Sequence, residues 1–127
     1  MSAKKILIAG PYRGGTGGDP LLIAKNLQRL EEVALQVYQR GHLPLIGEWV
    51  ALPLAKAAGS QQLGDEISDA YMYPVAHRLI AHCDAILRIP GESTGADNDV
   101  RVAQQHGIEV YYHLDEIENI HAARPPL

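Results

Sequence analysis

In Arg88-Ile89-Pro90-Gly91-Glu92-Ser93-Thr94-Gly95-Ala96-Asp97-Asn98-Asp99 a short apolar run gives way to a small-residue turn and then to a helix. The residues leading into it, Ala85-Ile86-Leu87-Arg88-Ile89, read as a buried strand. Pro90-Gly91 breaks that strand, and the Ser93-Thr94-Gly95 turn opens a helix with two early carboxylates, Asp97 and Asp99. A helix start carries unpaired backbone N–H groups and the positive end of the helix dipole, so this turn is suited to an anion. In an open α/β sheet it lies at the carboxyl end of a strand, where ligands bind.

The same logic extends outward. Ile6-Leu7-Ile8-Ala9 is apolar throughout, as a central parallel strand buried on both faces must be, and it ends at Gly10-Pro11. A glycine-rich loop follows, Tyr12-Arg13-Gly14-Gly15-Thr16-Gly17-Gly18, then Asp19 as an N-cap with Pro20 at the first helical position. Leu22, Ile23, Leu27, Leu30, Ala34, Val37 and Tyr38 recur at helical spacing until Gly41, and a second strand is predicted at Leu43 to Ile46. Between Gly47 and Gly64 the pattern suggests only a brief helical turn before Pro53 and an exposed loop at Gly59 to Gln62. Further on, helices are predicted from Glu66 to His82 (kinked or restarted at Pro74), from Gly95 to His106 and from Asp115 to His121, with a strand from Glu109 to Tyr112. Alternating strands and helices predict an α/β fold: a small doubly wound parallel sheet, flavodoxin- or Rossmann-like, of four to five strands flanked by helices. A chain of 127 residues makes this a single domain spanning residues 1–127.

Composition narrows the function. The chain is 46% hydrophobic and 20% charged, as globular domains are. A formal charge of −4 gives no electrostatic footprint for nucleic acid. Cys83 is the sole cysteine, and no Cys/His or HExxH spacing marks a metal site, so no metal is expected. The apolar run after Lys4-Lys5 is too short for a signal peptide or a membrane span, which predicts a cytoplasmic protein with no membrane partner. Neither GxxxxGK[ST] nor GxGxxG is present, and no cofactor is expected.

Four groups of residues are candidates for chemistry. The glycine loop is either a connector or a backbone cradle, with Arg13 able to supply a charge-assisted bond to an anion. Thr94-Gly95-Ala96-Asp97 matches a capping pattern, and Asp97 stands four residues before Arg101, an ion-pair spacing. Asp99 points about 200° away from Asp97 on a helix, between Ala96 and Ala103, small apolar neighbours that leave room beside its carboxylate. It is either a solvated helix carboxylate or a desolvated catalytic one. Glu48 and Trp49 follow the second strand and could line the same crevice, although a tryptophan is more often core.

These residues resemble the nucleoside 2-deoxyribosyltransferase superfamily, including its 2′-deoxynucleoside 5′-phosphate N-hydrolase branch. Ile8-Ala9-Gly10-Pro11-Tyr12-Arg13-Gly14-Gly15 with Asp19 is similar to that family's first strand and substrate loop. Cys83-Asp84-Ala85-Ile86 resembles its xDAV strand start, and Ser93-Thr94-Gly95 its substrate-contacting turn. The likeness covers most of the chain outside residues 47–75. It implies cleavage or transfer at the N-glycosidic bond of a 2′-deoxynucleoside or its 5′-monophosphate. Asp99 falls at the position of the family's nucleophilic glutamate. Gly10, Tyr12, Arg13, Gly14, Gly15, Trp49, Ser93 and Gly95 would hold the nucleoside or nucleotide, and the 5′-monophosphate is expected to bind tighter than the parent nucleoside through Arg13.

Three positions depart from the family pattern. Asp99 is one methylene shorter than glutamate, the family's first-strand tyrosine falls near Leu7, and its base-contacting acid falls near Ala76 or His77. A non-catalytic nucleotide-binding module, or a flavodoxin-like phosphosugar or cofactor binder, remains open beside the enzyme reading. The likeness, with the apolar residues Trp49, Val50, Leu52 and Leu54, also implies a homodimer or homotetramer.

Overall fold

The computed structural model describes residues 2–120. Its elements run β1 (Lys5–Ala9), α1 (Pro20–Gln39), β2 (Leu43–Leu45), α2 (Gly47–Ala57), α3 (Glu66–Ile80), β3 (Ala85–Arg88), α4 (Thr94–Gln105) and β4 (Glu109–Tyr111). The four strands form one all-parallel sheet in the order β2-β1-β3-β4. This is the small doubly wound α/β architecture that the strand and helix alternation predicts.

Each face of the sheet has its own core because successive side chains of a strand point to opposite sides. Ile6 and Ile8 of β1, with Ala85 and Leu87 of β3, pack under Leu30, Ala34 and Val37 of α1. Leu7 and Ile86, on the other face, meet Ile80 of α3 and Ala103 of α4. β1 and β3 are buried on both sides, which explains their uninterrupted apolar runs.

Asp19 caps α1, accepting from the Leu21 N–H at 2.9 Å, and Pro20 opens the helix. Asp65 caps α3 through the Ser68 N–H and also gathers the Ser60 hydroxyl and the Gln61 N–H. Those bonds hold its carboxyl well below the ordinary range, at about 2.

Two predicted elements differ. α2 is an 11-residue helix rather than a single turn, and it runs through Pro53. Pro53 removes one backbone bond, but Ala51 and Ala55 are fully buried and α2 packs closely on α3, so tertiary packing outweighs that loss. The expected helix from Asp115 is only a 3-10 turn, Leu114–Glu116. There the Glu116 carboxylate accepts from the Tyr112 and His113 N–H groups, and Ile117 then leaves in extended conformation to bury itself under α1. His121 lies outside the described residues. No helix among them is long and apolar enough to cross a membrane.

Candidate functional site

From β1 the chain runs to β2 on one side, then returns past β1 to β3 and β4 on the other. The switch point lies between β1 and β3, and the crevice opens there, outside their carboxyl ends. Ala9 pairs with Arg88, and the Ile89 N–H bonds the Ala9 carbonyl at 2.9 Å. The glycine loop and the Pro90–Gly95 turn therefore leave the sheet side by side.

The two loops interlock through glycines. Gly10 is covered by the Ile89 and Leu30 side chains, leaving no room for a methyl group. A Cβ at Gly91, whose φ is +122°, would sit 2.6 Å from Pro11 Cγ. At Gly14 a Cβ would lie 2.5 Å from the Glu92 carbonyl oxygen. Thr16, itself buried, stitches the loop: its hydroxyl donates to the Arg13 carbonyl at 2.6 Å and accepts from the Gly18 N–H. Asn26 of α1 reaches back to the Tyr12 carbonyl at 2.9 Å. The loop is thus a fixed wall and not a slack connector. Gly14→Ala is expected to cost about 1–3 kcal/mol, as overpacking against rigid backbone does. An unchanged denaturation midpoint would rule out the interlock.

Between these loops and α3 lies a cleft of about 420 Å³. Its floor is the end of β1 (Leu7, Ile8 and Ala9), and one wall is a single face of α3: Asp69, Met72, Tyr73 and Ala76. That spacing of three, four and seven is a helical stripe, and it was available in the sequence within the poorly matched region. Tyr73 packs across the cleft mouth against Gly95, 3.7 Å from where its Cβ would be.

Gly10, Tyr12, Arg13, Gly14, Ser93 and Gly95 all line this cleft with Asp99, so the structure brings together most of the residues that the sequence singled out. Two fall elsewhere. Gly15 is not part of the lining, and a Cβ on it would meet open space. Trp49 is 42% exposed, with its indole N–H on Glu31 of α1 at 2.8 Å. Successive helix residues point about 100° apart, so Glu48 faces the cleft while Trp49 turns toward α1.

Glu48, which the sequence offered as crevice lining without a chemical role, does line the cleft. It stands in the first turn of α2 and is half-buried, and burial pushes its carboxyl up to about 6. Asp99 is half-buried too, beside the buried Ala96 and Ala103. Burial first, and then the nearby Glu48 charge, push it up to about 7, against an opposing pull from the Arg88 guanidinium. The Tyr12 phenol is raised by the same burial and by Glu48, and stays a neutral donor. Two carboxyl groups in one cleft thus hold protons into the neutral range, the condition for acid–base work at that pH.

Asp97 has a different job from the expected one. Ser93 is the N-cap of α4, accepting from the Ala96 N–H at 3.0 Å. Asp97 instead pairs with Arg88 at 2.9 Å, on the far side of α4 from Asp99, while Arg101 bonds Asn98. The Arg88 side chain is only 11% exposed and also donates to the Ile89 and Gly91 carbonyls, fixing the turn that leads into α4. His77 bonds Asn98 through its ring at 3.0 Å, and Leu7 and Ala76 are cleft lining without polar groups. No group of three His, Cys, Asp or Glu among the described residues is placed to hold a metal ion. Neither a scan against protein-family models nor a search of curated proteins finds a match for this chain.

Proposed function

We propose that this cleft cleaves, or transfers the sugar across, the N-glycosidic bond of a 2′-deoxynucleoside or its 5′-monophosphate. The observation that carries the reading is the carboxyl pair Asp99 and Glu48, both held above the ordinary carboxylate range in a cleft large enough for a nucleoside. In the reactive state the pair carries one proton. Asp99 as carboxylate attacks C1′ of the sugar; a bond forms between its oxygen and C1′ while the C1′–N bond breaks. The electron pair of that bond goes to the departing base, which takes the proton from Glu48. Water then gives a proton to Glu48 and its oxygen to C1′, releasing Asp99 as a carboxylate; in transfer, a second base takes the place of water.

In the empty cleft the higher of the two values belongs to Asp99, so its proton must pass to Glu48 or to solvent before attack. The Tyr12 phenol stands on the same cleft from the glycine loop, where the family pattern would place one on the first strand at Leu7. The positive charge of an oxocarbenium-like transition state would be stabilised by the Asp99 carboxylate.

Incubation with the common deoxynucleosides and their 5′-monophosphates, followed by chromatography for free base, tests the reading. Base release, with a sugar adduct trapped on Asp99 by rapid quench and mass spectrometry, is the expected result. Binding without release would leave a nucleotide-binding module. A homodimer or homotetramer belongs to the same proposal, since Tyr38, Trp49, Val50 and Leu54 are exposed on α1 and α2. Light scattering showing a monomer at micromolar concentration would remove that part.

A further inference from the structure

Among the described residues, the charged side chains lining the cleft are Arg13, Glu48, Asp69 and Asp99, one cation against three carboxylates. The cation is already engaged. Arg13 Nη1 lies 3.2 Å from Asp69 Oδ1, bridging the glycine loop to α3. Its guanidinium also rests on the backbone of Gly64, where a Cβ would come within 2.6 Å of Nη2. That glycine, with φ +90°, leaves space for the guanidinium to lie flat at the α3 side of the cleft.

Three backbone donors in and just after the glycine loop are turned inward as well. The Thr16 N–H bonds the Arg13 carbonyl, the Gly18 N–H bonds the Thr16 hydroxyl, and the Asp19 N–H bonds the Thr16 carbonyl. A phosphate cradle needs successive N–H groups pointing at the ligand, and these three are spent within the loop. At the start of α4 the Ala96 N–H is taken by Ser93 Oγ and the Asp97 N–H by the Ser93 carbonyl. The guanidinium and several of the backbone donors that make the sequence look like a phosphate site are thus bonded within the protein.

From this geometry we infer that Asp69 is a specificity-determining residue, which occupies Arg13 and turns the cleft toward neutral, hydroxyl-bearing nucleosides and against their 5′-monophosphates. The inference rests on the nucleoside reading of the cleft and reverses the phosphate preference that the sequence suggests. A phosphate entering near Arg13 meets the Asp69 carboxylate already on its Nη1, with the Glu48 and Asp99 carboxyl groups lining the same cleft. Discrimination then comes from repulsion of the wrong ligand more than from attraction of the right one. A neutral sugar instead meets Asp69 as an acceptor for its hydroxyl, with the Arg13 fork keeping the carboxylate in place.

Calorimetry on the four common deoxynucleosides and their matched 5′-monophosphates, at one fixed salt concentration, decides it. The best-bound nucleoside is expected to bind at least about tenfold tighter than its monophosphate. Asp69→Asn, which keeps the side-chain shape and frees Arg13, should close the gap to within about threefold or invert it. Arg13→Gln should widen the gap, because the one cation is gone. Both residues are about half-exposed, so the variants are expected to fold, and circular dichroism checks this. A monophosphate that binds as tightly as its nucleoside, or a gap unchanged in Asp69→Asn, overturns the role of Asp69 and leaves the nucleoside reading standing. Binding of neither class overturns both.

Discussion

Asp99→Asn abolishes base release, lowering turnover by about four orders of magnitude, as loss of a nucleophile does in enzymes whose groups act as a unit. Glu48→Gln is expected to lose about 10²–10⁴-fold, the range for a general acid, and to lose most with substrates whose base is the poorer leaving group. Asp97→Ala provides the contrast. It stands two residues away on the same helix, but its partner is Arg88 and it does not line the cleft. Arg88 keeps its two carbonyl acceptors when Asp97 is removed, and Asp97 is largely exposed, so about 1 kcal/mol of stability or less is at stake. Activity measured at the temperature where all three variants remain folded gives the ordering: Asp97→Ala near the parent, Glu48→Gln well below it, Asp99→Asn at background. Base release by Asp99→Asn at the parental rate would remove Asp99 from the chemistry. Equal loss in Asp97→Ala would shift the cause to the position of α4.

The parts of this arrangement that were legible in the sequence are those written in one short window. The apolar runs of β1 and β3 declare central strands, Asp19-Pro20 declares a helix start, and Ala96 and Ala103 flanking Asp99 declare a carboxylate with room beside it. Each is a local rule with a local cause. What was illegible depends on partners far along the chain. Asp97 has Arg101 at a favourable helical spacing, but Arg88 on the neighbouring strand is nearer and less exposed, and it wins the carboxylate. α2 lacks a side-chain cap, begins after Ile46 and contains Pro53, and these signals outweigh Glu48 in its first turn and Lys56 in its last. Its burial comes from two alanines against α3, residues too small to stand out as core. Glu48 could be placed near the crevice from the sequence, but without α2 as a helix nothing separates its direction from that of Trp49. Arg13 was read as a free cation because Asp69 is 56 residues away.

Asp99→Asn is also expected to stabilise the protein at alkaline pH, and this effect needs no ligand. Asp99 is raised in the folded state from its ordinary value near 3.8 to about 7. Below the ordinary value the carboxyl is protonated in both folded and unfolded chains, and it costs nothing. Between the two values the folded protein binds the extra proton, so stability falls as pH rises. Above about 7 the full penalty of an ionised carboxylate in the cleft is in place. A shift of this size corresponds to roughly 2–4 kcal/mol, and the neutral amide does not incur it. For a domain of this length that raises the melting temperature by roughly 7–15 °C at pH 8. At pH 4 parent and variant should melt within about two degrees of each other, since both carry a neutral group there. A smaller slope from pH 4.5 to 6 should survive in the variant, because Glu48 is raised chiefly by its own burial. Calorimetric melts at the two pH values test this directly, and identical melting of parent and variant at pH 8 would mean that Asp99 is solvated. A side chain whose removal stabilises the fold is kept for something other than the fold. In this chain it lines the same cleft as Glu48, at the switch point of the sheet, where the proposed reaction needs a carboxylate.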